Sequence, residues 1–332
     1  MSGAVNSAND ARRKSDLLNI VKGILAYQST GNTLPASCNT LSAGCLSVIS
    51  VYLPIVPDDP DSTKSYVYAA TGTDFTLVGT LSNNHTYSFD SISGVWTDTA
   101  SLSCSANWVD SGHGFCVMQY EARNAGGVAT SQTGGTIWAS LNQAAAVTAC
   151  SNLGSGAHLI TNAEWTLLAR DIEGVGANWT GGTVGSGILK RGNVGDANAG
   201  DYNSAGDPDT GNSNALARLQ LANGNYIWHL SGNVYEWTSD TCSTAPANWY
   251  YNGAWLEWTD ANLADYEKGA AGPAGAYTSA NGAGQYYGCR LNGNAFMRGG
   301  AWGDGSNAGL YNFNLNDAPT NTNPAVGFRC VR

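Results

Sequence analysis

Charge is scarce in this sequence: Asp, Glu, Lys and Arg make up 12% of its 332 residues, about half the ~25% usual for soluble domains. Positive charge is scarcest, with 15 Lys and Arg against 25 Asp and Glu and a formal net charge of -10. Affinity for nucleic acid comes mainly from Lys and Arg neutralising phosphates, so this balance argues against nucleic-acid partners. No apolar run reaches the ~18 residues of a membrane-spanning helix, and no signal peptide is present. C-x-x-C pairs, a G-x-S-x-G elbow, a phosphate loop and H-E-x-x-H are all missing, which removes the common thiol, hydrolase, nucleotide and zinc-protease signatures. What is abundant is Gly (42), Trp (11) and aromatic residues generally (10%), within an ordinary 42% of hydrophobic residues. Low charge with many aromatics argues against disorder, and glycine without a three-residue period argues against collagen. The length fits two domains of ~100–200 residues.

Eight cysteines stand at 38, 45, 104, 116, 150, 242, 289 and 330. An even number, widely spaced in a weakly charged chain, reads as disulfides and hence an oxidising, extracytoplasmic setting. Cys38/Cys45 and Cys104/Cys116 are the natural local pairs, Cys150 and Cys330 could staple a helix to a C-terminal strand, and Cys242/Cys289 remain. Connectivity is not deducible from sequence, so other pairings stay open.

Residues 5–28 read as one amphipathic helix. Leu17, Leu18, Val21, Ile24, Leu25 and Tyr27 recur at helical spacing, opposite Asn9, Asp10, Arg12, Arg13 and Lys22. Gly31 and Pro35 end it. The prolines of Tyr52–Pro60 force an extended segment and a turn. Three strand candidates follow, at 65–69, 75–81 and 86–89. This order, with Asn9–Leu17, Tyr52–Pro60 and Ser65-Tyr66-Val67-Tyr68, resembles the globular half of type IV pilins and type II secretion pseudopilins over about residues 5–95. The resemblance implies a pilin-like domain over 1–100 that lacks the family's hydrophobic N-terminal half-helix. That missing half would anchor the precursor in the membrane and contact other pilin subunits. Met1-Ser2-Gly3-Ala4 runs into mid-helix sequence without a cap, as expected of a helix cut short.

A new unit begins near Cys104. Phe115–Ala122 alternates as a strand. Ser140–Leu153 reads as a helix closed by Gly154, and Thr161-Asn162-Ala163-Glu164 is a capping box opening a second helix with Trp165, Leu168, Ala169 and Ile172 on its buried face. Beyond Gly174, Gly, Asn, Asp and Trp dominate, with short apolar runs at 226–230, 234–237 and 326–331. Four stretches resemble, in order, the formylglycine-generating-enzyme-like branch of the C-type lectin fold: His158–Trp165, Leu230–Thr238, Arg298-Gly299-Gly300-Ala301-Trp302 and Gly327-Phe328-Arg329-Cys330-Val331. The expected fold class is therefore α+β, with a pilin-like helix and small antiparallel sheet followed by a loop-rich C-type-lectin-like domain over 101–332. The resemblance implies that the first and last strands of this domain pair.

The chemistry of the sulfatase-activating enzymes does not come with the motifs. Their copper-binding cysteine pair lies shortly upstream of Gly-Phe-Arg, whereas 301–326 contains no Cys, and a thiolate copper site needs soft ligands. Related sulfoxide synthases need clustered histidines, and the four here, at 85, 113, 158 and 229, are scattered.

Leu291–Pro324 carries Asn at 292, 294, 307, 312, 314, 316, 321 and 323. Asn-rich loops serve turns, but the Arg-Gly-Gly-x-Trp to Gly-Phe-Arg frame also resembles the variable proteins of diversity-generating retroelements. In that family adenines of Asn codons are randomised. The resemblance makes Ala301, Gly303, Asp304, Asn307, Asn314, Asn316, Asp317, Asn321 and Asn323 candidate variable positions within a segment of about 291–326. Tyr311 and Asn312 fit the frame less well. Trp302, Leu315, Pro319 and Phe328 are expected as fixed scaffold. Recognition residues on loops held by a rigid frame are what a diversified paratope needs. Trp249, Tyr250, Tyr251, Trp255 and Trp258 could form an aromatic rim beside it, or be core. Family members often hold calcium near the Gly-Asn-Val-x-Glu stretch, where Gly232, Val234 and Glu236 match. His229, however, stands where an oxygen ligand is expected and suits a hard cation poorly. Asp207–Asn212 begins like a calcium loop but lacks the downstream Glu. No cofactor is required by this reading; structural calcium is the one candidate.

These features lead to a noncatalytic, retroelement-diversified ligand-binding protein displayed on a cell surface or pilus. Its partner would be a protein or glycan on another cell or virus. The alternatives are a minor pseudopilin or adhesin with an invariant lectin-like domain and, third, a sulfatase-modifying enzyme.

Overall fold

A computed structural model describes residues 2–81, 85–92, 94–99, 102–195, 215–242 and 249–332. The chain divides into two compact units, Met1–Leu102 and Ser103–Arg332. Among the described residues no helix is long and apolar enough to cross a membrane.

In the first unit α1 (Ser2–Ser29) precedes a four-stranded antiparallel meander: β1 (Val67–Thr71), β2 (Asp74–Thr80), β3 (Thr86–Asp90) and β4 (Val95–Thr99). The last strand was not foreseen. Its Trp96 stacks on Tyr87 with ring centroids 4.9 Å apart. The buried stripe of α1 is Leu17, Ile20, Val21 and Ile24, the i, i+3, i+4, i+7 set, packed on Tyr66, Phe75, Leu77 and Phe89. It is narrower than the periodicity suggests, because Leu18 and Leu25 stay exposed. Gly79 of β2 makes room for the helix, since a Cβ there would lie 2.8 Å from Leu17 Cδ1. Arg13, expected on the polar face, is buried instead. Its Nη2 meets Asp59 Oδ1 at 2.8 Å and its Nη1 meets Asp10 at 2.8 Å. The proline-rich segment thus delivers the carboxylate that makes burying the guanidinium tolerable. Cys38 and Cys45 are joined beside this core.

In the second unit the first strands are β5 (Trp108–Asp110), β6 (Cys116–Met118), β7 (Ala122–Ala125) and β8 (Val128–Ser131). The run 115–122 is therefore split between two sheets rather than forming one strand. At the switch Tyr120 N donates to Ser131 Oγ at 3.1 Å and Gln119 N to Asn107 O at 2.9 Å. α2 (Gln143–Ser151) starts later than the apolar pattern, because Ser140 takes φ 59° and Asn142 is the cap, its side chain accepting from Ala145 N at 2.9 Å. After β9 (His158–Leu159), α3 (Asn162–Glu173) opens with the expected capping box and buries Trp165, Leu168, Ala169 and Ile172. Next come β10 (Arg218–Gln220), β11 (Tyr226–Trp228), β12 (Tyr235–Thr241), α4 (Asp265–Ala271), β13 (Tyr286–Tyr287), β14 (Ala295–Arg298), β15 (Phe313–Asp317), β16 (Val326–Phe328) and β17 (Cys330–Val331). The terminal strands of the unit pair as the resemblance implies, with Val331 opposite Val117 in the sheet β5-β6-β17-β9.

A five-stranded mixed sheet, β13-β15-β14-β12-β16, forms the centre. Strand alternation divides its side chains between two cores. Tyr286, Phe296, Phe313 and Leu315 join α3 on one face, and Trp237, Met297, Val326 and Phe328 join α2 on the other. Three disulfides tie this unit: Cys104–Cys116, Cys150–Cys330 between α2 and β17, and Cys242–Cys289. All eight cysteines are bonded.

Candidate ligand-binding face

The segment flagged by its asparagines leaves the central sheet at the end of β14 and returns to it twice. Gly299 and Gly300 both take left-handed backbone, φ 84° and 81°. A Cβ on Gly300 would sit 2.6 Å from Ala308, so only glycine makes this turn without strain. The loop beyond is held by main-chain bonds: Trp302 N to Asn233 O at 2.9 Å, Gly305 N to Val194 O at 2.8 Å and Gly309 N to Gly299 O at 3.0 Å. Arg191 adds Nη1 bonds to the carbonyls of Gly305 at 2.9 Å and Ala308 at 3.2 Å. The loop is thus held by Arg191, Val194 and Asn233 from outside the segment and by Gly299 within it.

Along β15 the pattern alternates strictly: Phe313 and Leu315 are buried, while Asn314 and Asn316 are half exposed on the opposite face. Gly303, Asn321 and Asn323 are exposed, and Asp304, Asn307 and Asp317 are half-buried. Ala301 is 6% exposed. Leu315 and Phe328 are core, as expected of scaffold.

Four expected contact residues are interior instead: Ala301, packed in the core with Trp237 and Met297, and Tyr311, Asn312 and Trp249. Tyr311 is fully buried; its hydroxyl donates to Glu173, and its carbonyl accepts from Trp258 Nε1 at 3.1 Å. Asn312 is buried, with Nδ2 on Asn307 O at 2.8 Å. Trp249 belongs to the core, with rings of Phe313 and Phe296 5.2 and 5.5 Å away. Each is enclosed by the sheet and cannot present a surface; Trp258, another rim candidate, is likewise 3% exposed.

Of the rim candidates Tyr251 is exposed and Tyr250 and Trp255 are half-buried, and Tyr287 beside them is half-buried too. Tyr287 stands 5.8 Å from Tyr251 and 5.2 Å from Trp255, ring to ring, and is directly opposite Asn314 in the β13–β15 ladder. Sequence reasoning passed over Tyr287. The only signal was the Tyr286-Tyr287 pair between Gly284 and Gly288, and strand alternation alone does not say which ring faces out.

The calcium candidates do not fit a cation. Glu236 is fully buried, its Oε1 accepts from Arg329 Nη2 at 2.8 Å and its Oε2 from Arg329 Nε at 3.1 Å. A cation there would have to displace a guanidinium already paired with both oxygens. Gly232 and Val234 are also enclosed. Asp207–Asn212 lies outside the described residues. Among the described residues no group of three or more His, Cys, Asp or Glu is placed to hold a metal ion. His158 is engaged with Glu164 at 3.0 Å and Gly156 O at 2.8 Å.

The arrangement is that of a rigid frame presenting amides, small residues and aromatic rings. The sequence profile of the sulfatase-modifying factor enzyme 1-like domain matches residues 116–332, and the chain belongs to that family. No curated protein matches the chain. Among solved structures it is similar to PvdO from Pseudomonas aeruginosa, at 16% identity over 80% of this chain and 93% of that one, with a TM-score of 0.34. It is also similar to the Major Tropism Determinant I1 variant, at 14% identity over 81% and 62% with a TM-score of 0.31. A third similarity is to Treponema denticola variable protein 1, at 12% over 80% and 97% with a TM-score of 0.30. Likenesses of this size carry no argument about function.

Proposed function

We propose that this chain is a noncatalytic binding protein whose surface between 301 and 323 is diversified by a retroelement. The observation that carries this reading is the division of that segment. Gly303, Asn314, Asn316, Asn321 and Asn323, candidates for variation, reach solvent, while the intervening Phe313 and Leu315 and the following Phe328 are core. Side chains at the outward positions can change without emptying the core, which is the physical requirement for a variable face on a constant fold. Tyr251, Trp255 and Tyr287 supply constant aromatic area beside it.

A catalytic reading on the thiolate pattern of the sulfatase-activating enzymes is disfavoured by the engagement of all eight cysteines in disulfides. Those bonds also favour display outside the cytoplasm. In this proposal the first unit is a pilin-like module that links the binding domain to a surface or filament. Sequencing the gene and its neighbourhood in the source population is the test. A template repeat that differs from the coding copy mainly at adenines, with changes at the outward positions, is the expected result. An invariant segment without a template would leave the alternative, an adhesin with a fixed lectin-like domain.

A further inference from the structure

Three polar residues from separate parts of the chain, Glu121, Asn193 and Asn233, are fully buried together. Asn193 and Asn233 both take left-handed backbone, φ 48° and 70°. A residue with a Cβ keeps that conformation only where its surroundings over-determine it, as hydrogen bonds do here. Asn233 N donates to Asn193 O at 3.1 Å, and Asn193 Nδ2 donates to Asn233 Oδ1 at 2.8 Å. Asn233 Nδ2 donates to Glu121 Oε2 at 2.7 Å, across 112 positions of sequence. A carboxylate only accepts, so the Asn233 amide has one workable orientation, nitrogen to Glu121 and oxygen to Asn193. Arg123 Nη1 secures the far end by bonding Glu121 O at 3.0 Å. The carbonyls fixed in this way are the ones that hold the loop after β14. Asn233 O accepts from Trp302 N at 2.9 Å, and Val194 O, one residue beyond Asn193, accepts from Gly305 N at 2.8 Å. Between these two anchors stands Gly303, which is exposed, and a Cβ there would meet nothing within 4 Å.

We propose that Asn233 is a positioning residue of the binding face: its side-chain amide, oriented by Glu121 and Asn193, fixes the main chain that anchors Trp302 and Gly305 and so presents position 303 to a ligand. The assignment rests on reading 301–323 as that face. The determinant of the loop's conformation then lies outside the segment, where a change of side chain at 303 leaves it intact.

The test uses the full chain and needs no ligand. Asn233→Gly keeps the left-handed backbone, which glycine adopts without strain, and removes the amide. Hydrogen exchange at the Trp302 and Gly305 amides should quicken about tenfold. The amides of Leu256 and Tyr286, which bond each other's carbonyls at 2.8 and 3.0 Å, should not change. Equal quickening at all four would show a general loss of stability and overturn the assignment, as would no change at 302 and 305.

Exchanging donor and acceptor gives a readout that packing alone does not move. Asn233→Asp sets a carboxylate against Glu121 with no donor between them, and should shift the Trp302 and Gly305 amide resonances and quicken their exchange. Adding Glu121→Gln restores the contact with its direction reversed: the new amide at 121 donates to the new carboxylate at 233, which still accepts from Asn193. Both resonances and both exchange rates should then return toward native. Glu121→Gln alone, with an amide oxygen that still accepts, should leave them in place. Failure of the double variant to restore what Asn233→Asp displaced overturns the assignment. Should either Asn233 variant alone not fold, a folded double variant with native exchange at 302 and 305 upholds it and an unfolded one overturns it. An invariant 301–323 segment in the source population would instead refute diversification and leave these measurements untouched.

Discussion

Arg329, between β16 and β17, and Arg298, at the end of β14, are both fully buried, yet their surroundings differ. Arg329 is well paired: Glu236 takes two of its donors, Met118 O a third at 2.7 Å and Trp228 O a fourth at 2.8 Å. Arg298 has one bond, Nη2 to Ala271 O at 3.1 Å; its Nε and Nη1 have no partner, and it lies 4.6 Å from the Phe313 ring centroid. Burial pushes its guanidinium down to about 9. Removing a partner from a buried pair strands a charge at a cost of about 3–5 kcal/mol, whereas replacing a poorly paired buried ion by an apolar side chain is often neutral or stabilising. Arg329→Met is therefore expected to lower denaturant stability by that amount, with part recovered by adding Glu236→Gln. Arg298→Met should leave stability unchanged or raise it. Urea unfolding of the three variants checks both statements. Both arginines were visible in sequence as motif letters, but which had a carboxylate was not, because Glu236 stands 93 positions from Arg329.

At the scale of elements, the Cys242–Cys289 bond closes a 47-residue separation between the end of β12 and the strand carrying Tyr287. Chain-entropy arithmetic assigns such a loop about 4 kcal/mol. Cys242→Ser with Cys289→Ser is expected to lose about 2–4 kcal/mol and to quicken exchange at Tyr287 first. Equal loss of protection across β6 and β17 would show that the bond acts globally instead. The variable-segment loops should behave oppositely. Asn321→Tyr and Asn323→Tyr are expected to change stability by no more than about 0.5 kcal/mol, while Tyr311→Ala, which empties core and strips Glu173 of its phenol, should cost about 3–5 kcal/mol. Thermal melts of these variants separate surface from scaffold positions. Elements with strong local codes were readable in advance: the Thr161–Glu164 capping box, the Trp165–Ile172 stripe and the run at 326–331. The 115–122 run was misread as one strand because alternation gives the pleat but not the point where a chain changes sheets.

For the molecule as a whole, burial raises the carboxyls of Asp171, Glu173, Asp240 and Asp304 above their ordinary range. An acid whose folded value lies above its unfolded value binds its proton more tightly when folded. Stability then falls as pH rises from the unfolded value, ~4, through the folded one, and returns on acidification. The stability of the native chain relative to Glu173→Gln should accordingly increase as pH is lowered from neutral toward ~5. Parallel pH profiles of the two proteins would refute this. Calcium and chelator should both leave the melting temperature unchanged, since Glu236 is committed to Arg329.

The amino-acid sequence by itself determined what depends on neighbours a few residues apart: the Thr161–Glu164 capping box and the periodic apolar faces of α1 and α3. It also offered Cys38/Cys45 and Cys104/Cys116 as the natural local pairs and Cys150 with Cys330 as a staple, while leaving the connectivity open. Tertiary structure alone decided which rings are core and which reach solvent, moving Trp249 and Tyr311 inward and Tyr287 outward. The reason is physical: burial and hydrogen-bond partnership at these sites are set by strands that meet across tens of residues, and no local spacing encodes which strand lies alongside.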